Sequence, residues 1–72
     1  MEKTLGGVEL AVRKIGGQKR AADLLGVTPQ AVTKWIRNDS VPLSRIPDFC
    51  RIAQVHPRAV NPDVARLFRD WR

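Results

Sequence analysis

GVTPQAVTKWIRN, Gly26 to Asn38, carries two helical patterns at once. Ala31, Val32, Trp35 and Ile36 make one apolar group, while Gln30, Thr33, Lys34 and Arg37 recur at i, i+3, i+4 and i+7. Both fit a 3.6-residue period, so they occupy opposite sides of one short helix. Thr28 supplies a side-chain oxygen to cap its start. Pro29 stands at the first helical position, where its missing N–H costs nothing. Asn38-Asp39-Ser40 is turn chemistry, which predicts a stop near Arg37. The apolar side belongs to a core. The polar side has no glutamate, although a merely solvated face ordinarily mixes Glu with its Lys and Arg.

Working outward, the segment Gln18 to Leu25 predicts a preceding helix, with Ala21, Ala22, Leu24 and Leu25 as its apolar positions and Gly26 as its end. The two helices are joined by a very short turn centred on Gly26-Val27. That is the helix-turn-helix arrangement, whose second helix enters the DNA major groove. Its physical requirements are met in this chain. Ala22 is small where the backbones must approach, Gly26 gives the corner a positive φ without steric cost, and Val27 covers the corner. Val32 and Trp35, with Ile36 beside them, anchor the second helix from beneath.

The flanks are helical too. Leu5, Val8, Val12 and Ile15, with Ala11 beside them, predict a first helix with Thr4 as its N-cap and Gly16 as its left-handed end. Gly6 and Gly7 weaken its first turn. A fourth helix is predicted from Ser44, with Pro47 tolerated inside the first turn and Ile46, Phe49, Cys50 and Ala53 on one face; Val55-His56-Pro57 closes it. The run PRAV (57–60) reads as briefly extended. Asn61 caps a fifth helix, Pro62 takes its first position, and Val64, Leu67, Phe68 and Trp71 repeat the helical spacing. The expected fold is all-α: one domain, residues 1–72, a compact bundle of about five short helices with the helix-turn-helix at about 18–37.

The 72 residues, 43% hydrophobic and 28% charged, suit a small globular domain rather than a disordered chain. A chain this short buries only roughly 60% of its extended surface, so its stability margin is thin and self-association could add to it. The net charge of +6 favours polyanionic partners. One cysteine, Cys50, excludes an internal disulfide and any zinc cluster built on several thiolates. No apolar run approaches the roughly 20 residues needed to cross a bilayer, and MEKTLGGVEL lacks a signal-peptide core. A cytoplasmic protein without membrane association is expected.

The stretch GGQKRAADLLGVTPQAVTKWIRND (Gly16–Asp39) resembles the helix-turn-helix of the phage Cro/repressor superfamily, particularly small Cro-like and YdaS-like prophage regulators. VPLSRIPDFCRIAQ and AVNPDVARLF are similar to the YdaS-like pattern that follows the motif, with Asn61 where that pattern often has arginine. About two-thirds of the chain carries the likeness. It implies a lambda repressor-like DNA-binding fold and a third helix docked in the major groove. On matching motif positions, the base-facing residues become Thr28, Gln30, Thr33, Lys34 and Arg37. Glutamine can pair bidentately with adenine, lysine or arginine can reach guanine O6 and N7, and a threonine methyl can pack on thymine. Gln18 and Lys19, at a helix N-terminus, suit phosphate contacts, and Asn38 can hold backbone at the far end.

Each of these residues also has a plainer role. Thr28 is first of all a cap, Arg37 can stop at phosphate, and Lys19 and Arg20 can be ordinary surface charge. Trp35, Phe49, Phe68 and Trp71 sit on apolar stripes rather than among basic residues, as single-strand binders would have them. His56 lacks partners for a metal site, Ser44, Asp48 and His56 form no recognisable nucleophilic motif, and no phosphate-loop motif follows Gly6-Gly7 or Gly16-Gly17. No catalytic site, cofactor, metal or small-molecule substrate is expected. The resulting expectation is a sequence-specific regulator of transcription, a Cro-like repressor binding double-stranded operator DNA, as a homodimer at least on DNA. It would act in the cytoplasm of a bacterial or infected host cell, on the nucleoid. The stripe Val64, Leu67, Phe68, Trp71 is either the dimer surface or packing against the first or fourth helix. The alternative from another class is a prophage toxin–antitoxin type or other protein-interaction module whose DNA binding is weak and non-specific.

Overall fold

In the computed structural model, which describes residues 6–68, five α-helices follow one another: α1 (Gly7–Ile15), α2 (Gln18–Leu25), α3 (Pro29–Asn38), α4 (Ile46–Ala53) and α5 (Pro62–Phe68). Two 3₁₀ turns, Leu43–Arg45 and Pro57–Ala59, precede α4 and α5, and no strand occurs among the described residues. The radius of gyration, 11.9 Å, is close to the ~11 Å of a compact chain of this length. Thr4, Leu5 and Trp71, and the side chain of Phe68, lie outside the described residues.

The apolar stripes meet as the periodicity requires. Val8, Ala11, Val12 and Ile15 of α1, Ala21 and Ala22 of α2, Val32 and Trp35 of α3, and Ile46, Phe49, Cys50 and Ala53 of α4 share one core with Val41, Val60 and Val64. Helix α1 touches α2, α3 and α4, so it is the element around which the others gather. Trp35 meets Phe49 edge to face, with ring centroids 6.2 Å apart and planes at 79°, which fastens α3 to α4.

Helix ends are formed largely by the residues that local chemistry selects. Thr28 Oγ1 accepts the Ala31 N–H at 3.2 Å, and Gly26 ends α2 at φ 70°. Helix α3 runs one residue beyond Arg37, to Asn38, because Asp39 takes the left-handed conformation (φ 52°) and its N–H turns back to the carbonyls of Trp35 and Ile36. The fourth helix differs from the expected start at Ser44: Leu43–Arg45 forms a 3₁₀ turn that runs into the α-helix at Ile46. Its end falls at Ala53, before Val55-His56-Pro57, where Gln54 adopts φ 58° and Lys14 Nζ donates to the Gln54 carbonyl at 3.2 Å. Segment 57–60 is not extended. His56 Nδ1 accepts the Arg58 N–H at 3.1 Å and winds Pro57–Ala59 into a turn.

Long-range polar links join the layers. Asp39 Oδ1 accepts the Val8 N–H at 3.1 Å, so the residue ending α3 also caps α1. A Cβ on Gly7 would strike the Ala59 carbonyl oxygen, which makes glycine obligatory where α1 meets that turn. Asn61, 5% exposed, donates from Nδ2 to the Val41 carbonyl at 2.7 Å and accepts the Asp63 and Val64 N–H groups at 2.8 and 3.3 Å. Val41 N–H in turn reaches the Val60 carbonyl at 2.8 Å. Leu25, Ala31 and Ile36 are partly covered at the edge of this core, and two expected apolar positions are exposed: Leu24 is half exposed, and Leu67 is 78% exposed while Val64 is buried, so the terminal stripe is split between core and surface.

Candidate nucleic-acid interface

Helix α3 is held from beneath by Val32 and Trp35, and its opposite side is open. Gln30, Lys34, Arg37 and Asn38 are exposed, Thr33 is half-buried, and these five side chains surround a shallow hollow of about 350 Å³. Four of the five residues read from the motif as base-facing therefore line one hollow, with Asn38 at the far end. Thr28 is exposed at the start of the helix, where its oxygen is used as the cap.

Helix α2 contributes through its first residue. The Thr33 hydroxyl lies 2.6 Å from Gln18 Oε1 and 3.1 Å from the Pro29 carbonyl, so Gln18 is drawn to the edge of the hollow across a sequence gap of 15 residues. The amino end of α2 has Gly17 as its cap and no side-chain capping bond. Its first N–H groups and the partial positive charge of the helix end stay available to an anion. Lys19 is exposed one position further on.

Basic charge is sorted between the helices. Arg13 pairs with Glu9 on α1, Arg51 with Asp48 on α4 and Arg66 with Asp63 on α5, at 3.5, 3.0 and 2.8 Å. Lys14 is held by the end of α4. Among the described residues, Lys19, Arg20, Lys34, Arg37, Arg45 and Arg58 make no ion pair, and the first four stand on α2 and α3. Exposed pairs of this kind contribute only about 0–1 kcal/mol to folding, but they decide where positive potential is left uncancelled.

Net charge alone does not say which of the thirteen cations of the chain are paired. The i,i+3 and i,i+4 acid–base spacing of Glu9–Arg13, Asp48–Arg51 and Asp63–Arg66 was the signal that could have separated them. Sequence reading missed the Gln18–Thr33 bond and the unpaired Arg45 and Arg58. Cys50 is buried, and that burial pushes its thiol pKa up, away from the thiolate a nucleophile needs. Among the described residues no group of three or more His, Cys, Asp or Glu could hold a metal ion, and no helix is long and apolar enough to cross a membrane.

Residues 8–66, from α1 into α5, match the family described as Bacterial toxin YdaS. The chain belongs to that family. The match covers more than four-fifths of the sequence and includes the whole α2–α3 unit, and the family is small and prophage-associated. No curated protein and no solved structure matches the chain. For this YdaS-family member, the open side of α3 offers amide, ammonium and guanidinium groups, and that helix carries no carboxylate. That set can donate to phosphate oxygens and to base edges.

Proposed function

We propose that α2 and α3 act as a helix-turn-helix of the Cro/repressor type and that the protein is a sequence-specific regulator of transcription on double-stranded DNA. The observation that carries this reading is the acid-free, unpaired face of α3 on a helix whose back is buried in the core. Lys19, Lys34 and the neighbouring arginines release phosphate counterions and supply affinity. Gln30, Thr33, Lys34 and Arg37 face base edges, Thr28 stands at the entry to them, and Gln18 and Asn38 grip the backbone at the two ends.

A single module covers few base pairs, so binding as a homodimer to half-sites about 34 Å apart is part of the proposal, with repression by occupying an operator. Among the described residues of the terminal stripe, Leu67, 78% exposed, is left free to serve such a contact. The action needs neither cofactor nor catalytic step, and its place is the bacterial nucleoid.

Lys34→Ala tests the face. A base contact predicts a loss of about 1–3 kcal/mol in binding, concentrated at one base pair; a phosphate contact predicts a uniform loss and a salt slope reduced by about 1. Unchanged affinity and salt dependence would remove Lys34 from the interface.

The family description favours a second reading, a toxin-type module; its basic face would then meet an acidic protein. Footprinting separates the two. A regulator protects a defined, approximately palindromic site, whereas a protein-directed toxin binds DNA only weakly and uniformly.

A further inference from the structure

Thr33 lines the hollow on α3, yet its hydroxyl already has partners within the protein. It sits 2.6 Å from Gln18 Oε1 and 3.1 Å from the Pro29 carbonyl, and it carries a single proton. If the Gln18 amide is turned round, its Nε2 donates to Thr33 and the hydroxyl proton goes to Pro29; in both arrangements that proton stays inside the molecule. Thr33 therefore cannot donate to guanine O6, to a purine N7 or to thymine O4 without breaking one of these bonds. A base-edge acceptor pressed against it would lose water and gain nothing, which is costly. What Thr33 can still offer a ligand is its methyl group and, on the oxygen, a lone pair that can only accept. Around it stand Gln30, Lys34 and Arg37, none of them bonded to another side chain among the described residues.

A methyl group bordered by polar ends is complementary to one feature of the major groove, the C5-methyl of thymine. Resting on the DNA reading above, we propose that Thr33 is a specificity-determining residue that selects thymine through this methyl group, while Gln18 holds its hydroxyl out of play. Cytosine, with hydrogen at C5, would leave a gap there. Guanine would present N7 and O6, two acceptors with no donor to meet them, and adenine, whose N6 amine could reach the Thr33 oxygen, lacks the methyl to pack there.

The test uses the full chain and a duplex enriched by it from random DNA, with each thymine replaced in turn by deoxyuridine, which lacks only the methyl. One position in each half-site should lose about fourfold in affinity, the weight of one buried methyl-sized group. Thr33→Ser keeps the hydroxyl and its bonds but lacks the methyl, so it should bind thymine and uracil duplexes equally. Thr33→Val keeps a methyl and gives up the hydroxyl, so it should retain the parent's thymine-to-uracil ratio whatever its overall affinity. A merely structural role for Thr33 would not move that ratio. Indifference of the parent to uracil at every position, or an unchanged ratio in Thr33→Ser, overturns the assignment and leaves the DNA reading standing. Failure to enrich any duplex overturns both.

Discussion

Replacing Asn61 by alanine should remove a large share of this protein's stability, and the structure gives the size. Asn61 is the one polar side chain in the buried set among the described residues, and both ends of its amide are used. Its orientation is forced, because the oxygen faces two N–H groups while the NH₂ faces a carbonyl. Loss of the N-cap on α5 costs about 1 kcal/mol, and leaving the Val41 carbonyl without its donor costs about 1–3 kcal/mol. The sum, about 2–4 kcal/mol, stands against a total of about 4–11 kcal/mol for a chain of 72 residues. Urea unfolding followed by helical circular dichroism should show it as a fall in midpoint at unchanged slope. Asn61→Ser and Asn61→Asp divide the effect. Serine retains a cap and loses the Val41 bond. Aspartate also caps, but it turns a carboxylate oxygen toward the Val41 carbonyl, so it should be less stable than serine despite being the closer isostere. An alanine variant within about 0.5 kcal/mol of the parent, or an aspartate variant equal to it, would refute the reasoning.

Ala22→Leu should cost on the order of 1–3 kcal/mol by overpacking, because Ala22 is fully buried on α2, which packs on α1 and α3; a melting curve like the parent's would show that the site has room for the larger side chain. Gln54→Gly should stabilise by about 1 kcal/mol, or about 4–8 °C in Tm, since glycine takes φ 58° without the Cβ penalty and the Lys14 contact to the residue 54 carbonyl remains. Burial raises the Cys50 pKa in the folded state, so its contribution is complete below the unfolded thiol's pKa and is lost as pH rises toward the folded value. The parent should therefore lose stability relative to Cys50→Ala on going into the alkaline range, a difference that paired pH-dependent unfolding curves will register. Alkylation of Cys50 in the native protein should likewise be slow until denaturant is added.

The helices of this protein were legible because their signals are local. Thr28-Pro29, Gly26 and Asn61-Pro62 each act within four residues, and the stripes Val8–Ala11–Val12–Ile15 and Ile46–Phe49–Cys50–Ala53 need only the helical period to be read. The open face of α3 was legible for the same reason, since Gln30, Lys34 and Arg37 lie opposite Val32 and Trp35 on any regular helix. The misread elements are those where local preference is weak. PRAV has no periodicity to declare a 3₁₀ turn, and the exposure of Leu24 and Leu67 depends on neighbours far along the chain.

Composition and spacing determined an all-helical chain, where its helices lie, and which side of α3 carries no acid. Tertiary structure alone decided that Asp39 caps α1, that Asn61 ties α5 to Val41, that Gln18 occupies the Thr33 hydroxyl, and that Lys14 is held by α4. The physical reason is range. A cap or an amphipathic stripe is set by atoms a turn apart, whereas these bonds join groups 15 to 40 positions apart, and every carboxylate, amide or ammonium in the sequence is chemically able to make them until the packed core selects which ones meet.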